Sequence, residues 1–247
     1  MSVFNVIGLL STIALFSPVV IILAKRLIQY RYYLILFIYC LLSSIYNLMT
    51  QDIVPVPRDI ERGWGLVNNL LDVPLMMTFL LLFGKSPKQK KVMMILTAAY
   101  VLFEGVIISL YGISVKAITI IMGPGLALVF MFAISFFIHR VKIAIAYQKA
   151  VGKAVMAAAI LFAYGCFAFI YVVHYILAMP QVNEIFLLYF IASIIYSTAL
   201  SVGLIIEHKR IQKLKELQVT RRELMEFFGD NEPVTPKKDI ADSWRFN

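Results

Sequence analysis

Long apolar runs separated by short clusters of charge divide the chain into seven segments, each near the roughly 20 residues that a helix needs to cross about 30 Å of hydrocarbon. They cover Val3–Ala24, Tyr32–Thr50, Leu66–Gly84, Val92–Gly112, Ala117–Ile138, Ala154–Ala178 and Ile185–Ile206. A helix satisfies its own backbone hydrogen bonds in lipid, so the pattern predicts an all-α membrane protein, a seven-transmembrane helix bundle. The first run ends at Lys25 and Arg26. It is too long for a signal-peptide core and no small-residue cleavage site follows it, so it is read as a retained span.

After Ile206 the pattern changes. From Glu207 to Phe228 the residues Ile211, Leu214, Leu217, Leu224 and Phe228 fall roughly on one side of a helix otherwise rich in Lys, Arg and Glu. This predicts an amphipathic cytoplasmic helix over 207–228 that prolongs the last span, lies along the inner leaflet or pairs with a partner helix. Arg221 interrupts the heptad-like row and disfavours a long coiled coil. Gly229, Asn231 and Pro233 end the helix, and 229–247 reads as a flexible tail in which Trp244 and Phe246 are a candidate docking motif. The expected organisation is therefore a seven-helix domain over 1–206, the amphipathic helix and the tail, with protein partners expected at the last two.

Basic residues orient the bundle, because Lys and Arg in short loops are retained in the cytoplasm. Lys25, Arg26 and Arg31 follow the first span, Lys85, Lys88, Lys90 and Lys91 the third, and Arg140, Lys142, Lys149 and Lys153 the fifth. The tail adds Lys209, Arg210, Lys213 and Lys215, whereas the opposite loops carry Arg58, Arg62 and Lys116 against Asp52, Asp59, Glu61 and Glu184. This places the N-terminus outside and the C-terminus in the cytoplasm, and predicts a multi-pass protein of the cell membrane. The formal charge of +9 is then chiefly a topology signal. Anionic lipid headgroups at the inner face are an expected partner, and a nucleic acid is not needed to explain the charge. Composition agrees with this class: 61% of residues are hydrophobic, 15% are charged, and mean hydropathy is +0.85.

Orientation and depth together define a candidate site. The third span runs inward, so Asn68, Asn69 and Asp72 lie in its outer half. Glu104 and His174 lie in the outer halves of the fourth and sixth spans, and Asn47 sits near the end of the second. Asn68 and Asp72 are four apart; Tyr164, Tyr171, His174 and Tyr175 share one face of the sixth span, and Tyr189, Ser193, Tyr196 and Ser197 one face of the seventh. A carboxylate at membrane depth costs on the order of 3 kcal/mol or more, which makes such a residue a functional candidate. The expectation is a tyrosine-rich polar cavity open to the outside, with Asn47, Asn68, Asn69, Asp72, Glu104, Tyr171, His174, Tyr175, Tyr189 and Tyr196 binding a ligand. The structural alternative is that these groups tie helices together by hydrogen bonds of about 1 kcal/mol each. The charge states of Asp72 and Glu104, and a pairing with His174, stay open. Pro74 and the run Gly123-Pro124-Gly125 are expected kinks or bending points. The loop 51–65, with Trp64, either caps the cavity or anchors the chain at the interface.

In helix count, orientation, the acid in the outer half of the third span and the basic amphipathic tail, the chain resembles the seven-helix opsins and receptors. That resemblance implies a sensor in which Asp72 occupies a place like the opsin counter-ion or the receptor amine-binding acid. Ile185–Ile206 contains no lysine, so covalent retinal is not expected. A seven-helix zinc hydrolase, of the ceramidase and progestin-receptor type, needs histidines converging with an acid. Here His139 and His208 fall at one membrane edge and His174 near the other, so no metal is predicted. Cys40 and Cys166 both fall near the middle of their spans and suggest no disulfide framework. Neither a Gly-x-Ser-x-Gly elbow nor a His-Glu-x-x-His helix occurs. The expected function is a sensor or receptor-like protein that binds a small or lipophilic ligand and signals through its cytoplasmic face. The alternatives are an accessory subunit of a larger complex and, ranked below it, a carboxylate enzyme or a solute or proton transporter.

Overall fold

A computed structural model describes residues 3–84, 87–147, 150–177 and 182–228; the side chains of 3–5, 88, 174, 175, 182–186 and 228 lie outside this description. Every element among the described residues is helical: α1 (Val3–Ala24), a short 3-10 turn (Leu27–Gln29), α2 (Arg31–Thr50), α3 (Arg58–Phe83), α4 (Pro87–Tyr111), α5 (Val115–Tyr147), α6 (Val151–Tyr171), a π turn (Val172–Ile176) and α7 (Val182–Phe228). Seven helices are long and apolar enough to cross a membrane, which makes this a multi-pass membrane protein.

Helix ends depart from the apolar runs where local chemistry favours helix beyond the hydrocarbon. α3 begins at Arg58 rather than Leu66, because Pro57 closes the preceding extended segment and Asp59 and Glu61 in the first turn complement the helix dipole. The expected loop 51–65 is thus half helix. α7 passes Glu207, where its composition changes, without a break and spans 47 residues, roughly 70 Å at 1.5 Å per residue. Residues 229–247, with Trp244 and Phe246, lie outside the described residues.

The packing order explains where a cavity can form. α1, α2, α3, α5, α6 and α7 close a ring in which each helix packs on the next and α7 returns to α1. α4 stands outside this ring, in the groove between α3 and α5, with Met94, Leu102, Val106 and Leu110 exposed along its outer face. Such a face suits lipid, which is as apolar as the side chains it meets. Polar ties close the seams of the ring. Asn47 of α2 donates from Nδ2 to Thr12 Oγ1 of α1 at 2.8 Å, Ser44 donates to the Leu15 carbonyl at 3.1 Å, and the hydroxyls of Ser17 and Ser201 meet at 2.7 Å. Replacing Asn47 by leucine is expected to lower thermal stability in detergent by about 1 kcal/mol, the worth of one interhelical hydrogen bond.

α6 and α7 make the closest approach. A Cβ added at Gly152 would stand 2.6 Å from the Glu207 nitrogen and 2.7 Å from the Gly203 carbonyl oxygen; one added at Gly203 would stand 2.6 Å from Met156 Cγ. Only glycine at both positions lets the two backbones touch.

This crossing sits at the bundle end that carries Glu207, opposite the end that carries Arg58. Glu207 is buried, with Arg210 Nη2 at 2.6 Å from Oε1, Arg210 Nε at 3.0 Å from Oε2, and Lys153 Nζ at 3.8 Å from Oε1. Arg140, buried beside them, donates to the carbonyl of Phe83, the last residue of α3, at 2.8 Å and lies over the rings of Phe83 and Phe136. Lys153 lies over Phe83 and Tyr32, 5.1 Å and 5.8 Å from the ring centroids. Arg140 and Lys153, which the sequence presents as loop charges, are thus interior residues joining α2, α3, α5, α6 and α7.

Candidate ligand cavity

The ring contains a partly open cavity of about 140 Å³ lined by five of its helices and by Leu15 of α1. α2 contributes Tyr39, Cys40 and Ser43; α3 contributes Asn68, Asn69 and Asp72; α5 contributes Met122 and Leu126; α6 contributes Phe167, Ile170 and Tyr171; α7 contributes Tyr189, Ser193, Tyr196 and Ser197. The volume is close to that of an engineered apolar cavity of about 150 Å³ that admits benzene. Here the wall carries a carboxylate, two amides and several hydroxyls.

Asp72 is the centre of this wall. Tyr164 of α6 donates to its Oδ2 at 3.0 Å, and the phenol of Tyr39 interacts with the same carboxylate from α2. Other groups are left with capacity to spare. Among the described residues, Ser193 Oγ, Tyr196 Oη and Ser197 Oγ are buried without a partner in hydrogen-bond geometry, although Tyr189 stands beside Ser193 and Tyr39 beside Tyr196. Among the described residues, no protein hydrogen bond engages the side-chain amides of Asn68 or Asn69. A buried polar group left without a partner costs about 1–3 kcal/mol, so several in one wall are expensive unless something else bonds to them.

The prolines help to shape the wall. Pro74 lies inside α3 two residues after Asp72, and Thr78 Oγ1 donates to its carbonyl at 2.6 Å. Having no N–H, Pro74 leaves the carbonyl four residues back, at Leu70, without its helical partner. In α5 the glycines flanking Pro124 make room for two tyrosines. Tyr171 Oη approaches at Gly123 and donates to the Thr119 carbonyl at 2.9 Å; Tyr100 Oη approaches at Gly125 and donates to the Ile121 carbonyl at 3.4 Å. α5 stays one continuous helix through the run Gly123-Pro124-Gly125. The π turn follows directly on Tyr171, where an extra residue per turn re-aims the end of α6.

A second chamber of about 350 Å³ adjoins the first at the Arg58 end. It is lined by Tyr46, Arg58, Glu61, Arg62, Gly65, Leu66, Asn69, Val115 and Ile118, so Asn69 belongs to both walls. Trp64, next to Gly65, donates from Nε1 to the Leu42 carbonyl of α2 at 3.4 Å, which fixes the first turns of α3 against α2.

Of the residues expected to meet, Asn68, Asn69, Asp72, Tyr171, Tyr189 and Tyr196 line one cavity. Asn47 does not line it; its amide faces α1. Glu104 does not line it either. It is buried between α4 and the ring, near Tyr100, with Oε1 unpartnered, because α3 and α5 pack against each other between α4 and the cavity. The side chains of His174 and Tyr175 lie outside the described residues. The sequence reading did not include Tyr39, Cys40 and Ser43 of α2. Their spacing of three and four residues was available as a signal, but an apolar run with one polar face does not say which neighbour that face meets.

Comparison with protein-family models, with curated proteins and with solved structures finds no match for this chain. Fold and site define its class: a seven-helix, multi-pass membrane protein with a half-buried carboxylate on the wall of a polar cavity.

Proposed function

We propose that this protein is a sensor of the cell membrane that binds a small molecule at Asp72 and passes the binding event to the cytoplasm through α7. The Arg58 end faces outward and the Glu207 end faces the cytoplasm, following the distribution of Lys and Arg between the loops. One observation carries the reading. Among the described residues, Ser193, Tyr196 and Ser197 of the cavity lining keep hydrogen-bonding capacity unspent, whereas groups that merely tie helices, such as Asn47 and Ser44, are bonded across their seam.

The output follows from the continuity of α7. Tyr189, Ser193, Tyr196 and Ser197 line the cavity, and the same helix runs on to Phe228, so a shift of α7 at the ligand moves the extension with it. For this to signal, the ligand binds one arrangement of α7 more tightly than the other. Leu217, Leu224, Met225 and Phe227 are exposed on the extension and supply apolar surface for an output partner. The same surface supports a second reading, an accessory subunit held in a larger complex through this helix.

Native mass spectrometry of the full chain in lipid nanodiscs tests the first reading. The wild-type protein is expected to release a bound small molecule that the Asp72→Asn variant retains at least about tenfold more weakly, a loss of about 1.4 kcal/mol, with the melting temperature little changed. Cys40 provides an independent readout, since its thiol is on the cavity wall: in a Cys166→Ser background, the released molecule added back is expected to slow alkylation of Cys40. A wild-type protein that carries nothing but lipid, with the same Cys40 alkylation rate in the presence and absence of Asp72, would count against a ligand and in favour of the accessory reading.

A further inference from the structure

We infer that the ligand of this site is an elongated organic anion, with its carboxylate or phosphate held in the outer chamber by Arg58 and Arg62 and a hydrogen-bond donor at its far end directed to Asp72. The inference rests on the ligand-binding reading above and adds the chemical class of the ligand. Three observations lead to it. Asn69 lines both chambers, which sets them next to each other at that amide, and the inference takes one molecule to reach past it. Arg58 and Arg62 are four residues apart on α3, hence on one face of the helix, and both line the outer chamber. Among the described residues, neither guanidinium makes an ion pair or hydrogen bond, although Glu61 lies on the same chamber wall.

The chemistry of the two ends is opposite. Two guanidiniums at the N-terminal end of a helix, where the backbone dipole is positive, favour a carboxylate or phosphate and can bind it bidentately. Asp72, met by the phenols of Tyr164 and Tyr39, is an acceptor whose remaining lone pairs suit a donor such as a hydroxyl or an amine. The ends are separated by the rise from Arg62 to Asp72, about 15 Å along the helix at 1.5 Å per residue, which the reach of the arginine and aspartate side chains modifies. Between them the wall is mixed, with Leu66, Met122 and Leu126 beside the Asn69 amide, which suits a flexible apolar linker.

Isothermal titration of the full chain in phosphatidylcholine nanodiscs tests this with three probes of one length: ω-hydroxyoctanoate, octanoate and the matching α,ω-diol. Empty nanodiscs correct for partitioning. The hydroxy acid is expected to bind most tightly. The double variant Arg58→Ala/Arg62→Ala is expected to weaken it about tenfold and to leave the diol unchanged, and Asp72→Asn is expected to weaken the hydroxy acid and the diol but not octanoate. Both arginines are exposed, so the double variant should retain the wild-type melting temperature. Binding of the hydroxy acid that is indifferent to the arginines overturns the inference; if the diol still depends on Asp72, the ligand-binding reading survives it. Probes that all ignore Asp72 overturn both. A bilayer headgroup is the other source of a phosphate at this depth. If the arginine variant loses only enrichment of phosphatidylglycerol from mixed nanodiscs, and no affinity for the hydroxy acid, the arginines serve lipid and the inference is again overturned.

Discussion

Replacing Glu207 by alanine is expected to destabilise the bundle by about 3–5 kcal/mol, because it leaves buried positive charge without its counter-charge. Lys153 and Arg210 both converge on this carboxylate, and Arg140 lies close by with its Nε unpartnered. Removing the acid takes the shared counter-charge away from Lys153 and Arg210 and leaves Arg140 beside them. Two-state unfolding in mild detergent, followed by circular dichroism, measures the loss. A charge-free replacement of similar size separates electrostatics from packing. Glu207→Gln combined with Lys153→Met is expected to recover part of the stability that Glu207→Gln alone loses, since an ion pair exchanged for well-packed neutral groups is often neutral or better. No recovery would show that the cluster acts through packing alone.

The second large effect is expected at the helix crossing beside this cluster. Gly152→Val and Gly203→Val each place side-chain atoms where backbone now stands. A clash with the far end of a flexible side chain would relax, but at Gly152 the obstacles are the Glu207 nitrogen and the Gly203 carbonyl oxygen. Separating two helices over several turns costs more than the roughly 1–3 kcal/mol typical of overpacking by side chains. The Gly152→Val chain is therefore expected to unfold at a temperature at least as low as that of the Glu207→Ala chain, and to lose the Lys153–Glu207 contact as well. Gly203→Val is expected to be the milder of the two, because its nearest obstacle, Met156 Cγ at 2.6 Å, can turn aside, and the backbone atoms Gly152 O and Met156 N stand farther off at 3.0 Å and 3.1 Å. Equal melting temperatures for both valine variants and wild type would refute the close crossing.

The two effects meet in α7. The cavity wall is at one end of the helix, the Glu207 cluster lies where the helix leaves the bundle, and the extension follows. In the proposed sensor the cluster acts as a fulcrum. Arg210 belongs to α7 itself, while Lys153 holds the helix to α6 and Arg140 holds α5 to the end of α3. Under that proposal, a ligand-driven shift at Tyr196 would pivot about the point that the salt bridges and the backbone contact hold.

The number of spans, their helical nature and the chemistry of their polar residues were legible in the order of the amino acids. The first two follow from length and hydropathy, because a backbone in lipid has few ways to satisfy its hydrogen bonds. Asp72 stood out for the same reason, as the cost of a carboxylate at that depth makes it a functional candidate. Depth, however, is one coordinate of two. Asp72 and Glu104 share a layer, yet Asp72 faces the ring interior and Glu104 the seam beneath α4. That difference arises because α3 and α5 close on each other and leave α4 outside, and no periodicity within α4 carries that information. Asn47 is the same case on a smaller scale, since Thr12 of α1 is its partner and only packing brings the two together. Arg140, Lys153 and Glu207 read locally as boundary charges, and they become an interior cluster only because Gly152 and Gly203 let α6 and α7 approach to backbone contact. Hydropathy and helical period act within a segment and can be read from it; which faces meet depends on contacts between residues far apart in the chain, and those exist only once the ring has closed.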